Sequence, residues 1–242
     1  APYDPNYQDY NAVLGEPCKA HLFGTDEYGR DILSRIIYGS RVSISIGIVA
    51  QIIASIVGVA LGSLAGYYGG WGDSLISRVM EIFQAFPDLI FAMAIMTFMG
   101  KGVLNLFIAL GLLTWVRTAR MIRGSVMQLK EKEYIEASRA CGASTYWIIM
   151  KGLVPNCLST IIVLVTLGIP NAIMYEASLS FLGIGIQPPT PSWGNMISAA
   201  QTFISFRPVY SIMPGVAIMI TVIAFNIFGD GLRDALDPKL KN

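Results

Sequence analysis

Charge is scarce in this 242-residue chain: Asp, Glu, Lys and Arg make up 14% of it, against roughly 25% in soluble domains. With 54% hydrophobic residues, that shortage points to lipid as the solvent. Histidine occurs once, at His21, outside every long apolar run. No Ser-His-Asp arrangement can therefore be assembled at membrane depth, and Cys18 with His21 lacks the further ligands a metal site needs. The three cysteines, Cys18, Cys141 and Cys157, show no CxxC spacing, and an odd number fits no disulfide framework. The phosphate cradle GxxxxGK[ST] is missing too: Gly100 and Lys101 are followed by Gly102, and Ile95 stands at the first glycine position. The chain is expected to bind neither ATP nor a metal by itself. A net charge of +1 gives no footprint for nucleic acid.

What is present is apolar length. Val42 to Tyr68, Gly152 to Tyr175 and Pro208 to Gly229 carry no charge over the roughly 17 to 25 residues that cross a bilayer. Val79 to Gly100 contains Glu81 and Asp88, and Gly102 to Val116 is short unless Arg117 and Arg120 snorkel. Five spans are expected, in an all-α polytopic bundle. They divide the Lys and Arg unequally, six on the face holding 1–41, Lys101 and 176–207 and eleven on the face holding 69–78, 117–151 and 230–242. The positive-inside bias makes the second face cytoplasmic and the Ala1 end external. An external start calls for an uncleaved upstream span rather than a cleaved signal peptide, giving six spans with both ends inside.

Residues 1–29 are rich in Pro, Asp, Asn, Gly and Tyr and read as an external loop. Ile32, Leu33, Ile36 and Ile37 share a helical stripe, which predicts a short interfacial helix closing an extracytoplasmic segment at 1–41. Residues 42–229 then form the transmembrane domain, followed by a tail at 230–242. Ala50, Ala54, Gly58, Gly62 and Gly66 recur at every fourth position and allow close helix approach. Pro87 and Pro170 fall inside expected spans and favour kinks. The interrupted run 177–207 reads as an external re-entrant or surface segment. Asp88 and Glu176 should face protein, water or an interface; with Pro87 and Pro170 they are the candidates for a pathway or gating role, against structural hydrogen bonding for Glu176.

Between two apolar stretches lies a charged loop, 117–151. Within it Gln128 to Cys141 reads as helix, Gly142 as its stop, and Ser144 as the cap of a second helix carrying Tyr146, Trp147, Ile148, Ile149 and Met150. Pro155 fits the first turn of the next span. A solvated loop has no need of Tyr134, Ile135, Ala137 and Ala140; an exposed amphipathic pair wants a groove in another protein.

The stretch resembles the EAA loop of bacterial ABC importer permeases: Glu-Ala-Ala, three residues, Gly, nine residues, then Ile-x-Leu-Pro. The matching positions are Glu136, Ala137, Ser138, Gly142, Gly152, Val154 and Pro155. Three of them, Ser138, Gly152 and Val154, depart from the usual Ala, Ile and Leu. HLFGTDEYGRDILSRIIYGSR (21–41), EASLSFLGIGIQPPTPSWGNM (176–196) and GDGLRDALDPKL (229–240) resemble segments of one branch, the second permease of dipeptide, oligopeptide and nickel importers. The resemblance implies a type I ABC importer transmembrane domain in a bacterial or archaeal cytoplasmic membrane. It also implies a homologous second permease, two ATPase subunits that bind ATP and Mg, and an external solute-binding protein. Docking to an ATPase would fall to Tyr134, Glu136, Ala137, Ser138, Arg139, Gly142, Ala143 and Ser144. Peptides are the expected cargo, with nickel as the alternative; an ion-driven secondary transporter and an intramembrane enzyme are the readings from other classes.

Overall fold

The computed structural model describes residues 1–236. Its first long helix, α1 (Ile32–Tyr68), starts where the Asp31 carboxylate accepts the Ser34 N–H at 2.7 Å and stops at Gly69, whose φ is +64°. The interfacial helix and first span expected as two pieces are thus one. Nothing between them breaks the ladder.

Helices α2 (Gly70–Gln84) and α3 (Asp88–Met99) meet at a bend of 91°. The kink expected at Pro87 in the span Val79 to Gly100 is therefore a full break. Pro87, which caps α3, has no N–H to continue the ladder and drives Phe86 away from helical geometry.

Helix α4 (Val103–Leu129) runs well past the limit set at Val116. Arg117, Arg120 and Arg123 recur every third residue along it. Arg123 Nη2 donates to Asp73 Oδ2 at 2.6 Å and Arg120 donates to Gln84, so α2 shelters the charges that made this stretch read as loop. The long pairing of α1 with α4 rests on the small-residue stripe. A Cβ at Gly58 would lie 2.6 Å from Thr118 Cβ, one at Gly66 2.7 Å from the Arg123 carbonyl, and one at Gly62 would overlap the Ala119 carbonyl. Glycine there lets the two backbones touch.

A short helix, α5 (Glu133–Ala140), follows three non-helical residues, so the helix expected from Gln128 is in fact broken at Lys130–Lys132. The chain then enters one rod, Thr145–Phe181, made of α6 (Thr145–Trp147), a π-turn (Ile148–Leu153), a 3-10 turn (Pro155–Cys157) and α7 (Leu158–Phe181). The π-turn absorbs the donor missing at Pro155: Val154 N–H reaches back to the Ile149 carbonyl at 2.9 Å. Pro170 lies inside α7, which continues through it.

An irregular stretch leads to α8 (Trp193–Ala200), capped reciprocally by Ser192 and Asn195, and then to α9 (Pro208–Leu236). Residues 230–236 of the expected tail are the last turns of α9; 237–242, with the end of the 229–240 motif, lie outside the described residues. Among the described residues four helices are long and apolar enough to cross a membrane, five spans if the bent α2–α3 pair is one.

Residues 1–31 fold against the start of α1 and α9. Buried Asp26 takes Arg30 Nε at 2.6 Å, Arg35 lies 3.5 Å from the same carboxylate, and Tyr210 Oη donates to Glu27 at 2.6 Å. His21 Nδ1 pairs with Asp31 Oδ1 at 2.9 Å, a contact within the fold.

Candidate functional site

Two places in the bundle carry polar chemistry that the fold does not consume. The first is the elbow between α4 and the rod. Helix α5 ends in a paired-carbonyl stop: Gly142 N–H donates to the Arg139 carbonyl and Ala143 N–H to the Ser138 carbonyl, both at 3.0 Å. That stop requires the left-handed φ of +80° found at Gly142. Ser144 then accepts the Trp147 N–H at 3.3 Å and starts the next helix. A single α5 side chain is fully buried: Ile135 packs with Ile122 and Val126 of α4 and with Ile148, Ile149 and Leu153 of the rod. Space for it exists because residue 152 is glycine; a Cβ there would lie 2.8 Å from Ile135 Cδ1. Ile135 thus anchors the elbow to two spans while Tyr134, Glu136, Ala137, Arg139, Gly142 and Ser144 stay exposed. Tyr146 is 75% exposed beside them, and Ala137, Ser138, Gly142, Ala143 and Trp147 line a shallow groove. Arg139 also lies over the Tyr67 ring of α1, 5.9 Å from its centroid.

The second place is a cavity of about 220 Å³ between α1, α4, α7 and the α2–α3 break, open on one side. Polar side chains line it: Gln51, Asp88, Thr114, Arg117, Asn171 and Tyr175. Tyr175 Oη donates to Asp88 Oδ2 at 2.5 Å. Gln51, 3% exposed, presents an Oε1 with no hydrogen-bond partner. Asp88 and Arg117 are exposed on the open side. Facing lipid at mid-span, each would cost about 2.5 to 3.5 kcal/mol, so this face belongs against water or protein.

A family model described as the inner membrane component of binding-protein-dependent transport systems matches residues 58–242. The chain belongs to that family. It is an ABC importer permease of the peptide and nickel branch, as its motifs implied. The chain is 43% identical over all 242 residues to the glutathione transport system permease protein GsiD of Pectobacterium atrosepticum, covering 80% of that protein. It is 44% identical, with the same coverage, to the protein of that name from Escherichia coli O6:K15:H31. Among solved structures, an inward-facing MetNI methionine ABC transporter superposes with a TM-score of 0.67 at 19% identity, covering 85% of this chain and 98% of that one. An amino acid ABC transporter with histidines gives 0.64 at 14% identity, covering 84% and 95%. These two show a shared type I importer fold.

The permease brings Tyr134, Glu136, Ala137, Ser138, Arg139, Gly142, Ala143 and Ser144 together on one elbow. The pathway candidates it separates. Asp88 lines the cavity, whereas Pro87 lies in the bend beside it and Pro170 is buried within α7. Glu176 is 0% exposed and is not part of the lining: its carboxylate accepts Ser43 Oγ at 2.8 Å and Ser180 Oγ at 2.7 Å, tying α1 to α7. Gln51, Asn171 and Tyr175 escape a reading by sequence, and Arg117 is read there only as a snorkelling charge at the end of a short span. The one signal for Gln51 is that it is the single amide in the uncharged run from Val42 to Tyr68.

Proposed function

We propose that this permease forms half of the pathway of an ATP-driven importer for short peptides, glutathione-like ones included, and that its elbow is the docking lever for one of two separate ATPase subunits. The elbow carries the reading: it exposes an apolar and polar face while the buried Ile135 side chain couples it to α4 and the rod. A lever fixed in this way passes a displacement to two spans at once. ATP can shift the outward–inward equilibrium only if the ATPases hold the elbow differently in the two states.

In this arrangement Glu136 supplies polar contacts and Gly142 sets the angle. The elbow end of the bundle is cytoplasmic, in keeping with the eleven basic residues assigned to that face, and residues 1–31 meet the binding protein outside. The partner permease covers the open, charged side of the cavity. An ion-driven transporter calls for paired broken helices at mid-membrane. Among the described residues α2–α3 is one break beside four helices long enough to cross alone.

The test is copurification of tagged permease with its ATPases from membranes. Wild type should retain them, and Gly142→Pro, which removes both the positive φ and the N–H given to Arg139, should lose them while residues 1–31 stay folded. Full retention by Gly142→Pro and by Glu136→Lys together would refute the docking role.

A further inference from the structure

The polar cavity holds two opposite charges that do not cancel. Asp88 stands on one wall, fixed by Tyr175, and Arg117 on another; among the described residues no ion pair joins them. Between the walls lies the Gln51 amide, buried on the middle of α1, its Oε1 unpartnered. The Gln51 amide packs on α7 because residue 168 is glycine, where a Cβ would overlap Cδ and Oε1 and also lie 2.6 Å from Nε2. A buried carbonyl oxygen left unpaired is costly, and a site built to accept a donor removes that cost when the donor arrives.

We propose that this cavity is a binding subsite for the zwitterionic main chain of a short peptide. Asp88 Oδ1 receives the protonated amine, Arg117 the carboxylate, and the Gln51 amide, which lines the cavity between them, a peptide group. The proposal rests on the peptide-importer reading and deepens it. A cation alone would leave Arg117 uncompensated, and an anion alone would leave Asp88 so. A divalent metal would find one carboxylate, no imidazole and no thiolate in the lining. A zwitterion satisfies both walls, with a charge-assisted hydrogen bond at each end. Because the cavity stands at the α2–α3 break, a change of bend there would change the spacing of its walls, so occupancy is tied to the state of the bundle.

The test measures equilibrium binding of alanyl-alanine to the purified permease–partner–ATPase complex without binding protein, beside N-acetyl-alanyl-alanine and alanyl-alanine amide. Free dipeptide should bind about tenfold more tightly than either blocked form. Asp88→Asn, which keeps an acceptor for Tyr175, should erase the preference for a free amine and retain that for a free carboxylate; Arg117→Gln should do the reverse. Glu81→Gln, outside the cavity, should retain both. Retained ATPase subunits establish that each variant is folded. Absence of saturable binding, equal binding of blocked and free forms, or variants that keep both preferences would overturn the subsite. Peptide uptake by the complete importer, measured in parallel, separates the two ideas: uptake without subsite binding refutes the subsite alone, and no peptide uptake refutes the substrate reading and the subsite with it.

Discussion

Ile135 of the elbow helix occupies the space that a side chain at residue 152 would fill, with a Cβ at Gly152 placed 2.8 Å from Ile135 Cδ1. The family pattern has isoleucine at this position, so the departure at Gly152 is matched by a large residue on the facing helix. Gly152→Ile alone should expel Ile135, costing about 1 to 3 kcal/mol by overpacking. Adding Ile135→Ala should recover more than half of that loss. Hydrogen exchange over 133–140 in the single and double variants checks it, and an additive result would show that the two positions do not share the space.

Gly142 at φ +80° predicts a graded response. Gly142→Ala should loosen the α5 stop by about 1 to 2 kcal/mol, and Gly142→Asn by less, because asparagine tolerates the left-handed region. A Cβ at this position meets nothing within 4 Å, so the effect is conformational and not steric. Exchange of the Gly142 and Ala143 amides reports it, with the rest of the bundle unchanged.

The elbow was the most legible part of this chain, and the charged cavity the least. Glycine stop, serine cap and proline start are local rules, so Gly142, Ser144 and Pro155 mark the elbow without knowledge of what surrounds it. The stripe Ala50, Ala54, Gly58, Gly62 and Gly66 likewise announced a close helix contact, though not that α4 supplies the other side. Arg117, Arg120 and Arg123 misled because their charge reads as loop. Only the fold shows that Asp73, Gln84 and a polar cavity receive them. The 91° bend was half visible: Pro87 marked the place, but a proline specifies a break and not its angle.

The α1–α4 contact predicts that Gly62→Val is severely destabilising. The added side chain meets the Ala119 backbone, which cannot rotate away as a side chain could. A loss of about 3 kcal/mol or more is expected, beyond ordinary overpacking. Thermal unfolding of the detergent-purified complex measures it, and Gly72→Val, in open space, is the control.

Glu176 joins three elements through Ser43 and Ser180, and Ser43 Oγ also accepts the Trp193 N–H at 3.4 Å. Glu176→Ala should cost about 1 to 3 kcal/mol by leaving two buried hydroxyl protons without an acceptor, and Glu176→Gln less, since one oxygen remains. If both variants keep wild-type unfolding temperatures yet lose transport, the residue acts in gating rather than in holding α1, α7 and α8 together.

The most direct measurement is solute uptake into liposomes holding either the complete importer or this chain alone, with and without ATP. Uptake that requires ATP and the ATPase subunits, and that disappears with Gly142→Pro, is the predicted result. Full-rate uptake by the isolated chain, indifferent to ATP, would contradict it.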